Sequence, residues 1–542
     1  MKNRRILCLI MGLVLITVFL SSLVWGADKQ VKTFTLYHGG SDARPVDLFQ
    51  TKIGKKITEL TGVTMKIEYL VGTEEETKAG IMIAAGQYPD LIFAHNVGHK
   101  FIEAGALIPL DDYIAKSDIV KKAYKGNLKK LRWSDGHIYW ITPWQPDAER
   151  LYANDGFWLP IDLLKENGWP LVTDIDQYFN LIRNYVKKHP TYNGKPTIGF
   201  TCEADDWRNY IVKQSGIHLA GYFNTGETII DKENAAHCYE VAPETKNYLK
   251  RLNQLYLEGL FDKEAFSQKY DQYSAKIAEG RVIGFYDERW QFQDPERALK
   301  DKGLFDRMHV AMPVVYKGVK QNPYGSRQMI SNISGISISK DCKDPDAAFK
   351  FLERVLADDI QKLNYWGIEG DDYSVVNGRM VKSVEQLNQA GDPDYLDKQG
   401  LTRFQFLLPR IPWGENCKYA DGNLVSPNDS PEYFANQYKP FEKEVLKAYK
   451  KDTFANFMSP PSSPPYGFVW DIPLPDGSPE RIVQQKLDDL ARKYVSKVVM
   501  APKGQFEKIW SQYVADFNKI DYKRIEKFYT DAVRKRLQDW KE

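Results

Sequence analysis

The period of hydrophobic and polar positions changes repeatedly along the chain, and each change predicts an element. Val31 to Tyr37 alternates as a strand does, and Gly39-Gly40-Ser41 then turns into a stretch where Phe49, Ile53, Ile57 and Leu60 recur at helical spacing. Val63, Met65, Ile67 and Tyr69 alternate again, giving a second strand. Thr73 is placed to cap a helix whose first turn, Glu74-Glu75-Glu76, suits the positive end of the helix dipole. That helix runs through Ile81 to Ala85 and stops at Gly86, the residue type best able to take the left-handed C′ conformation. Pro89 blocks continuation, Leu91-Ile92-Phe93 reads as a third strand, and Phe101 to Ala106 begins another helix. The run MIAAGQYPDLIFA, Met82 to Ala94, is therefore the end of a βαβ crossover. It places the loop after Phe93 at the carboxyl end of a parallel strand, the edge at which open α/β sheets bind ligands.

The pattern continues beyond Ile161 as helix Gln177 to Val186, strand Thr197 to Phe200, helix Lys246 to Leu257, helix Ala275 to Ala278 and strand Val282 to Tyr286, which predicts a second α/β lobe. The chain then returns through HVAMPVVY, Ile333 to Ile338 and a helix from Pro345 to Ala357 led by Asp344. From Pro473 onward the pattern is helical, with Ser478-Pro479-Glu480 as a cap and Phe506, Ile509, Trp510, Tyr513, Val514 and Phe517 on one face, read as core. SPPSSPPYGF and DIPLPDG read as extended surface loop. At 542 residues the chain exceeds what one core supports, so two lobes agree with its length.

The first residues stand outside this pattern. Lys2, Arg4 and Arg5 precede an apolar run from Ile6 to Leu20, and Val24-Trp25-Gly26 offers a small-residue cleavage site, so residues 1–26 read as a secretory signal. An uncleaved anchor is the alternative, because Ile6 to Trp25 is about long enough to span a bilayer. Cys8 precedes the apolar run, so it is not a lipid-bearing cysteine, and the expected product is exported, periplasmic or extracellular, and not lipid-anchored. Cys202, Cys238, Cys342 and Cys417 are widely spaced, with no CxxC and no ligand spacing; one disulfide would fit, but a chain of this size does not need it. A formal net charge of +2 gives no electrostatic reason to expect nucleic acid or an anionic membrane as partner. Aromatic residues make up 13% of the chain, a surplus that suits a site for flat, partly apolar ligands such as sugar rings.

Catalytic signatures are missing. There is no GxSxG, Walker A or HExxH, Gly39-Gly40 lacks the dinucleotide pattern, and no carboxylate pair stands out as a glycosidase acid and base. His95 and His99 lie four apart, but Asn96 and Gly98 between them suggest a loop and there is no third ligand in the pattern, so no metal and no cofactor is expected.

AAGQYPDLIFAHNVGHKFIEAGALIPLDDYI resembles the N-lobe signature of family 1 extracellular solute-binding proteins of ABC transporters: a small-Ala-Gly-x-x-Pro-Asp run, a strand, then a helix ending Gly-x-Leu-x-Pro-Leu. DGHIYWITPW (Asp135 to Trp144), GIEGDDYSVVNGR (Gly367 to Arg379) and the closing FEKIWSQYVADFNKIDYKRIEKFYTDAVRK resemble the long subgroup that includes alginate-binding periplasmic proteins and oligosaccharide-binding lipoproteins. The resemblance implies a type II periplasmic-binding-protein-like fold: two α/β lobes joined by hinge strands, a ligand cleft between them, and a helical C-terminal region. It assigns 27–150 plus 310–365 to the N-lobe and 151–309 plus 366–542 to the C-lobe. The implied function is capture of a carbohydrate, in particular an oligosaccharide, for ABC transporter permease subunits, by a monomer without enzymatic activity. The alternatives are a secreted polysaccharide-degrading enzyme or a peptide-binding protein, the latter needing an early inserted domain for which Val31 to Ile108 has no room. Loops at strand ends and hinge-adjacent positions give the candidate ligand-binding residues: Asn96, Trp144, Gln145, Trp207, Arg208, Asp287, Arg289, Trp290, Arg327, Trp366 and Trp413. By resemblance, Trp413 in RIPWGEN corresponds to a sugar-facing tryptophan. Each tryptophan has structural packing as its alternative. The three arginines fit either uronate carboxylates or structural ion pairs. One departure concerns metal: the alginate-binding relatives carry an Asp- and Asn-rich calcium loop where KHPTYNGKPTIGF offers only Asn193, which speaks against calcium.

Overall fold

The computed structural model describes residues 31–40, 45–71, 74–124, 127–142, 153, 155–205, 208–223, 225–320, 323, 335–390, 392–404, 418–427, 438–459 and 464–541. Two sheets form its frame. In chain order their strands are β1 (Lys32–His38), β2 (Val63–Tyr69), β3 (Leu91–Phe93), β4 (Trp140–Ile141), β5 (Asp155–Pro160), β6 (Ile198–Phe200), β7 (Val282–Glu288), β8 (His309–Met312) and β9 (Ile336–Ile338).

The N-lobe sheet has the order β2-β1-β3-β9-β4, with β1 parallel to β2 and β3, and β9 antiparallel to β3 and β4. Its first crossovers form as the periodicity predicts. Helix Lys52–Thr61 is capped by Thr51, whose hydroxyl accepts the Gly54 amide at 3.1 Å, and ends at Gly62 with φ +71°. Helix Glu75–Ala85 ends at Gly86, φ +62°, whose amide donates to the carbonyls of Met82 and Ile83. Thr73, the expected cap, lies outside the described residues. Leu36, Ile53, Leu91, Phe93, Ile336 and Leu352 form the centre of this lobe's core.

The C-lobe sheet runs β8-β5-β7-β6, with β7 parallel to β6 and antiparallel to β5. Phe157, Leu159, Phe200, Phe285 and Val310 pack its core together with Tyr494, Trp510 and Tyr513 from the C-terminal helices. Helices Pro479–Val499, Phe506–Phe517 and Tyr522–Asp539 close the chain. Among the described residues no helix is long and apolar enough to cross a membrane, and no three His, Cys, Asp or Glu side chains cluster as metal ligands.

Three expectations shift, and one segment gains a definite form. The N-lobe return assigned to residue 310 comes later, because His309–Met312 pairs antiparallel with β5 in the C-lobe sheet. Residues 366–404 do not all join the C-lobe: Phe404 is in the N-lobe core with Ile360 and Leu363, edge-on to Phe49 at 5.5 Å. Apolar spacing reveals that such a segment packs but not on which sheet. The loop expected at His95 to His99 is helical, a one-turn helix His95–Val97 running into helix Gly98–Glu103, because Gly98 takes ordinary helical angles and His95 absorbs the turn at φ +51°. The segment with Asn193 is a tight hairpin, Thr191–Tyr192 against Lys195–Pro196, with Asn193 and Gly194 at φ +49° and +76°, the angles a two-residue turn between twisted strands requires.

Candidate functional site

The direction of the strands decides where a ligand can sit. β1, β2 and β3 end together at His38, Tyr69 and Phe93, and β4, parallel to β3, ends at Ile141. In the other lobe β6 and β7 end at Phe200 and Glu288, where antiparallel β5 begins at Asp155. Each sheet therefore has one edge of strand ends from which loops emerge, the geometry that builds binding crevices.

Those two edges lie at the ends of one run of contacts. Lys100, on the helix that follows Asn96, donates to Asp476 at 2.5 Å, and Arg481 lies 3.5 Å from Glu76. The first link reaches the segment leading into helix Pro479–Val499 and the second the first turn of that helix. Six residues before Asp476, Trp470 packs edge-on against Tyr210 at 6.3 Å and 88°, in helix Asn209–Leu219 beside the end of β7.

On the N-lobe edge Asn96 is exposed, its amide 3.0 Å from His95 Nδ1, which in turn meets Glu75 at 2.7 Å. His38 is buried at the end of β1, its ring 5.0 Å from Phe93 and 5.4 Å from Tyr69.

On the C-lobe edge, four of the expected residues converge. Asp287 and Glu288 are successive on β7 and face opposite ways. Asp287 points inward, is 3% exposed, and accepts the Tyr273 hydroxyl at 2.6 Å and the Glu288 amide at 2.8 Å. Burial pushes its carboxyl up to about 8, against the pull of those bonds and of Arg208. Arg208, at the start of helix Asn209–Leu219, lays its guanidinium 4.2 Å from the centre of the Tyr270 ring, and Tyr270 donates its hydroxyl to the Gln291 carbonyl. Arg289 pairs with Glu296 at 3.5 Å. Trp290 is 51% exposed and its indole N–H donates to Glu288.

Trp366 is elsewhere. It is buried against Tyr365, Tyr373, Met380, Tyr419 and Val425, and its indole N–H donates to the Leu424 carbonyl at 2.9 Å, so local packing accounts for it. Trp144, Gln145, Trp207, Arg327 and Trp413 lie outside the described residues. Sequence reasoning missed Tyr210 and Trp470. The first lay unmarked in the sequence, and the second sits in the one-turn helix Gly467–Asp471, between the two stretches read as surface loop.

The loop behind this edge is held by a buried polar network. Lys276, 5% exposed, donates to Asp262 at 2.8 Å and to Gln268 at 2.6 Å. Thr201, just after β6, gives its hydroxyl to Asp262 at 2.7 Å, and the Gln268 amide donates to the Cys202 carbonyl at 2.7 Å. Each buried donor and acceptor named here has a partner, which is the condition for such a network to rigidify the backbone above it.

Residues 52–370 match the family of bacterial extracellular solute-binding proteins, and the chain belongs to that family. It is similar to the fructooligosaccharide ABC transporter substrate-binding protein FusA of Streptococcus pneumoniae serotype 4, 24% identical over 400 residues that cover 67% of each chain. Among solved structures it resembles S. pneumoniae FusA in complex with kestose, at 18% identity and a TM-score of 0.63, covering 93% of this chain and 99% of that one. It also resembles the alginate-binding protein AlgQ2 without calcium ion, at 18% identity and a TM-score of 0.60, covering 94% of this chain and 100% of that one. The fold is thus the two-lobed α/β fold of periplasmic binding proteins.

Proposed function

We propose that this protein is the extracytoplasmic binding component of an ABC importer, capturing an oligosaccharide between its lobes and presenting it to membrane permease subunits. The observation that carries this reading is the pair of exposed tryptophans, Trp290 and Trp470, at the strand-end edge of the C-lobe, interleaved with the polar groups of Tyr210 and Glu288. Sugars present an apolar ring face and a polar rim, and that combination of indole and carboxylate matches both. The similarity to a fructooligosaccharide-binding relative supports the same class of ligand. Hinge closure of two lobes over a ligand is the motion that signals occupancy to a partner. We further propose that the mature chain is exported, free of lipid and monomeric.

A secreted polysaccharide-degrading enzyme is the competing reading, because a carboxyl held protonated beside an ionised one is how glycosidases divide acid and base roles. Asp287 does not fit that role: it is buried, and Tyr273 occupies its carboxyl. The deciding experiment heats the protein with kestose, maltotriose and longer neutral and acidic oligosaccharides, and assays new reducing ends in parallel. A ligand of the native state raises the melting temperature in proportion to RT ln(1 + [L]/Kd). A shift without new reducing ends is expected, and new reducing ends would establish the enzyme.

A further inference from the structure

Lys317, Lys320 and Lys451 line one cavity of about 420 Å³, together with Thr173, Asp174 and Asn456. Among the described residues, none of the three ammonium groups has an ion pair, a hydrogen bond or a ring contact. The single acid in the lining is engaged: the Asp174 carboxylate accepts the amides of Asp176 at 2.9 Å and Gln177 at 3.2 Å, at the start of helix Ile175–Lys188. Asn456 takes the Thr453 hydroxyl on its Oδ1 at 2.8 Å, which leaves its Nδ2 donor uncommitted. The cavity therefore has an excess of positive charge and of donors.

The backbone that presents these groups is fixed. Tyr316 to Val319 is a closed turn, the Val319 amide donating to the Tyr316 carbonyl at 3.0 Å, with Gly318 at φ +94°. Just before it, the Val315 amide donates to the Thr173 carbonyl at 3.1 Å and the Ile175 amide to the Val315 carbonyl at 3.2 Å, and the Tyr316 hydroxyl donates to the Glu244 carbonyl at 2.8 Å. Lys451 follows helix Pro440–Tyr449, whose negative C-terminal end favours a cation. Lys317 and Lys320 have no such local reason: they share the cavity with the positive N-terminal end of helix Ile175–Lys188, where a cation is disfavoured.

The cavity lies on the strand-end edge of the C-lobe. β8 ends at Met312 opposite Phe157, on the same edge where β5 begins at Asp155 and β7 ends at Glu288. Two strand spacings, roughly 10 Å, separate the ends of β8 and β7. Met458, in the cavity wall, lies where a Cβ on Gly156 would come within 3.3 Å of its Cε, and Gly156 pairs with Asp287. At about 420 Å³ the space is far larger than a bare inorganic anion and falls in the range of small-molecule pockets. Pro313, Val315, Tyr316 and Phe457 add the apolar lining that a sugar ring face needs.

We propose that this cavity is a subsite for a sugar unit that carries an oxyanion, a carboxylate or a sulfate ester, so that the preferred ligand of the protein is an acidic oligosaccharide. The proposal rests on the carbohydrate reading above. Lys317, Lys320 and Lys451 bring point charges to the oxyanion, and Asn456 donates to a neighbouring oxygen. Three like charges without an acidic partner repel one another, and a bound oxyanion relieves that repulsion. Salt screens the attraction, so affinity for the acidic ligand falls as ionic strength rises.

The test titrates the protein by calorimetry with alginate and pectin trisaccharides, with kestose and maltotriose, and with sodium phosphate. An acidic trisaccharide is expected to bind more tightly than the neutral ones, and less tightly as salt is added. The double variant Lys317→Gln/Lys320→Gln changes two exposed side chains, so the ligand-free melting temperature should hold, and it should weaken the acidic ligand by about tenfold or more. Lys55→Gln/Lys66→Gln removes the same charge from exposed positions of the N-lobe and should leave acidic binding near wild type, which separates a local contact from the field of the whole protein. Neutral trisaccharides binding as tightly as the acidic ones, or unchanged acidic binding in the Lys317→Gln/Lys320→Gln protein, overturns the subsite while the carbohydrate reading stands. Phosphate binding that depends on Lys317 and Lys320, without a preference for acidic sugars, makes the cavity a free-anion site and overturns it too. If no saccharide binds the wild type, both fall.

Discussion

Asp287 shows how one buried side chain ties the site to the stability of the whole lobe. Its carboxyl is pushed up to about 8 by burial, whereas an unfolded aspartate titrates near 3.8. The folded state thus holds this proton more tightly than the unfolded state does. Its contribution to stability is full below about pH 4 and is lost as pH rises through 8. Asp287→Asn keeps an oxygen to accept the Tyr273 hydroxyl and has no proton to lose. Between pH 5 and 8 the melting temperature of the variant is expected to fall less than that of the wild type. Glu240, pushed up to about 7 by burial, titrates over the same range in both proteins, so the readout is the difference in slope. Parallel curves would show that Asp287 is ionised in the native state.

Helix Glu75–Ala85 carries two glycines with opposite roles, and that contrast tests how its end is made. Gly86 takes φ +62° at the C-cap, an angle that costs a residue with a Cβ roughly 1 kcal/mol. Gly80 is exposed in the helix interior, and a Cβ there would meet nothing within 4 Å. Gly80→Ala is expected to stabilise the protein by about 0.5 to 1 kcal/mol, and Gly86→Ala to destabilise it by a similar amount, read from denaturant midpoints. Equal signs for the two would mean that the cap is not what ends this helix.

Elements of this kind were legible in the sequence because their signals are local. Alternation marked β1 and β2, Gly86 and Pro89 marked the helix end, and Ser478 caps helix Pro479–Val499 through the Arg481 amide as its position implied. The 3.6-residue period put Trp510 and Tyr513 in the core, where they are. What failed to show was long-range. Trp470 gains its position from Gly226, more than 200 residues earlier, and a proline-rich stretch has no period from which to read a facing direction. Trp366 looked like any other tryptophan near a turn until the hydrogen bond to Leu424, 58 residues on, defined its cluster.

At the scale of the molecule, two of the ion pairs among the described residues join the lobes, and they bear on how strongly the observed arrangement is favoured. Lys100 meets Asp476 at 2.5 Å, with the lysine side chain 15% exposed and the aspartate 49%, and Arg481 reaches Glu76 at 3.5 Å. An ion pair with one partner in solvent contributes about 0.2 to 1 kcal/mol, which changes a two-state equilibrium only a few-fold. The pairs connect the strand-end edge of the N-lobe to Asp476, six residues after Trp470, and to Arg481 in the first turn of helix Pro479–Val499, so they form only when the lobes bring those surfaces together. Asp476→Lys places a like charge against Lys100 and should shift the ligand-free protein toward a more open form. Small-angle scattering is then expected to give a larger radius of gyration for the variant, with a larger compaction on adding a sugar that binds. Affinity should drop a few-fold, because part of the binding energy is used to draw the lobes together. The double variant Lys100→Asp/Asp476→Lys restores opposite charges and should return both readouts toward wild type. If the single variant scatters like the wild type and binds as tightly, these pairs do not bias the lobes, and the arrangement is held by packing alone.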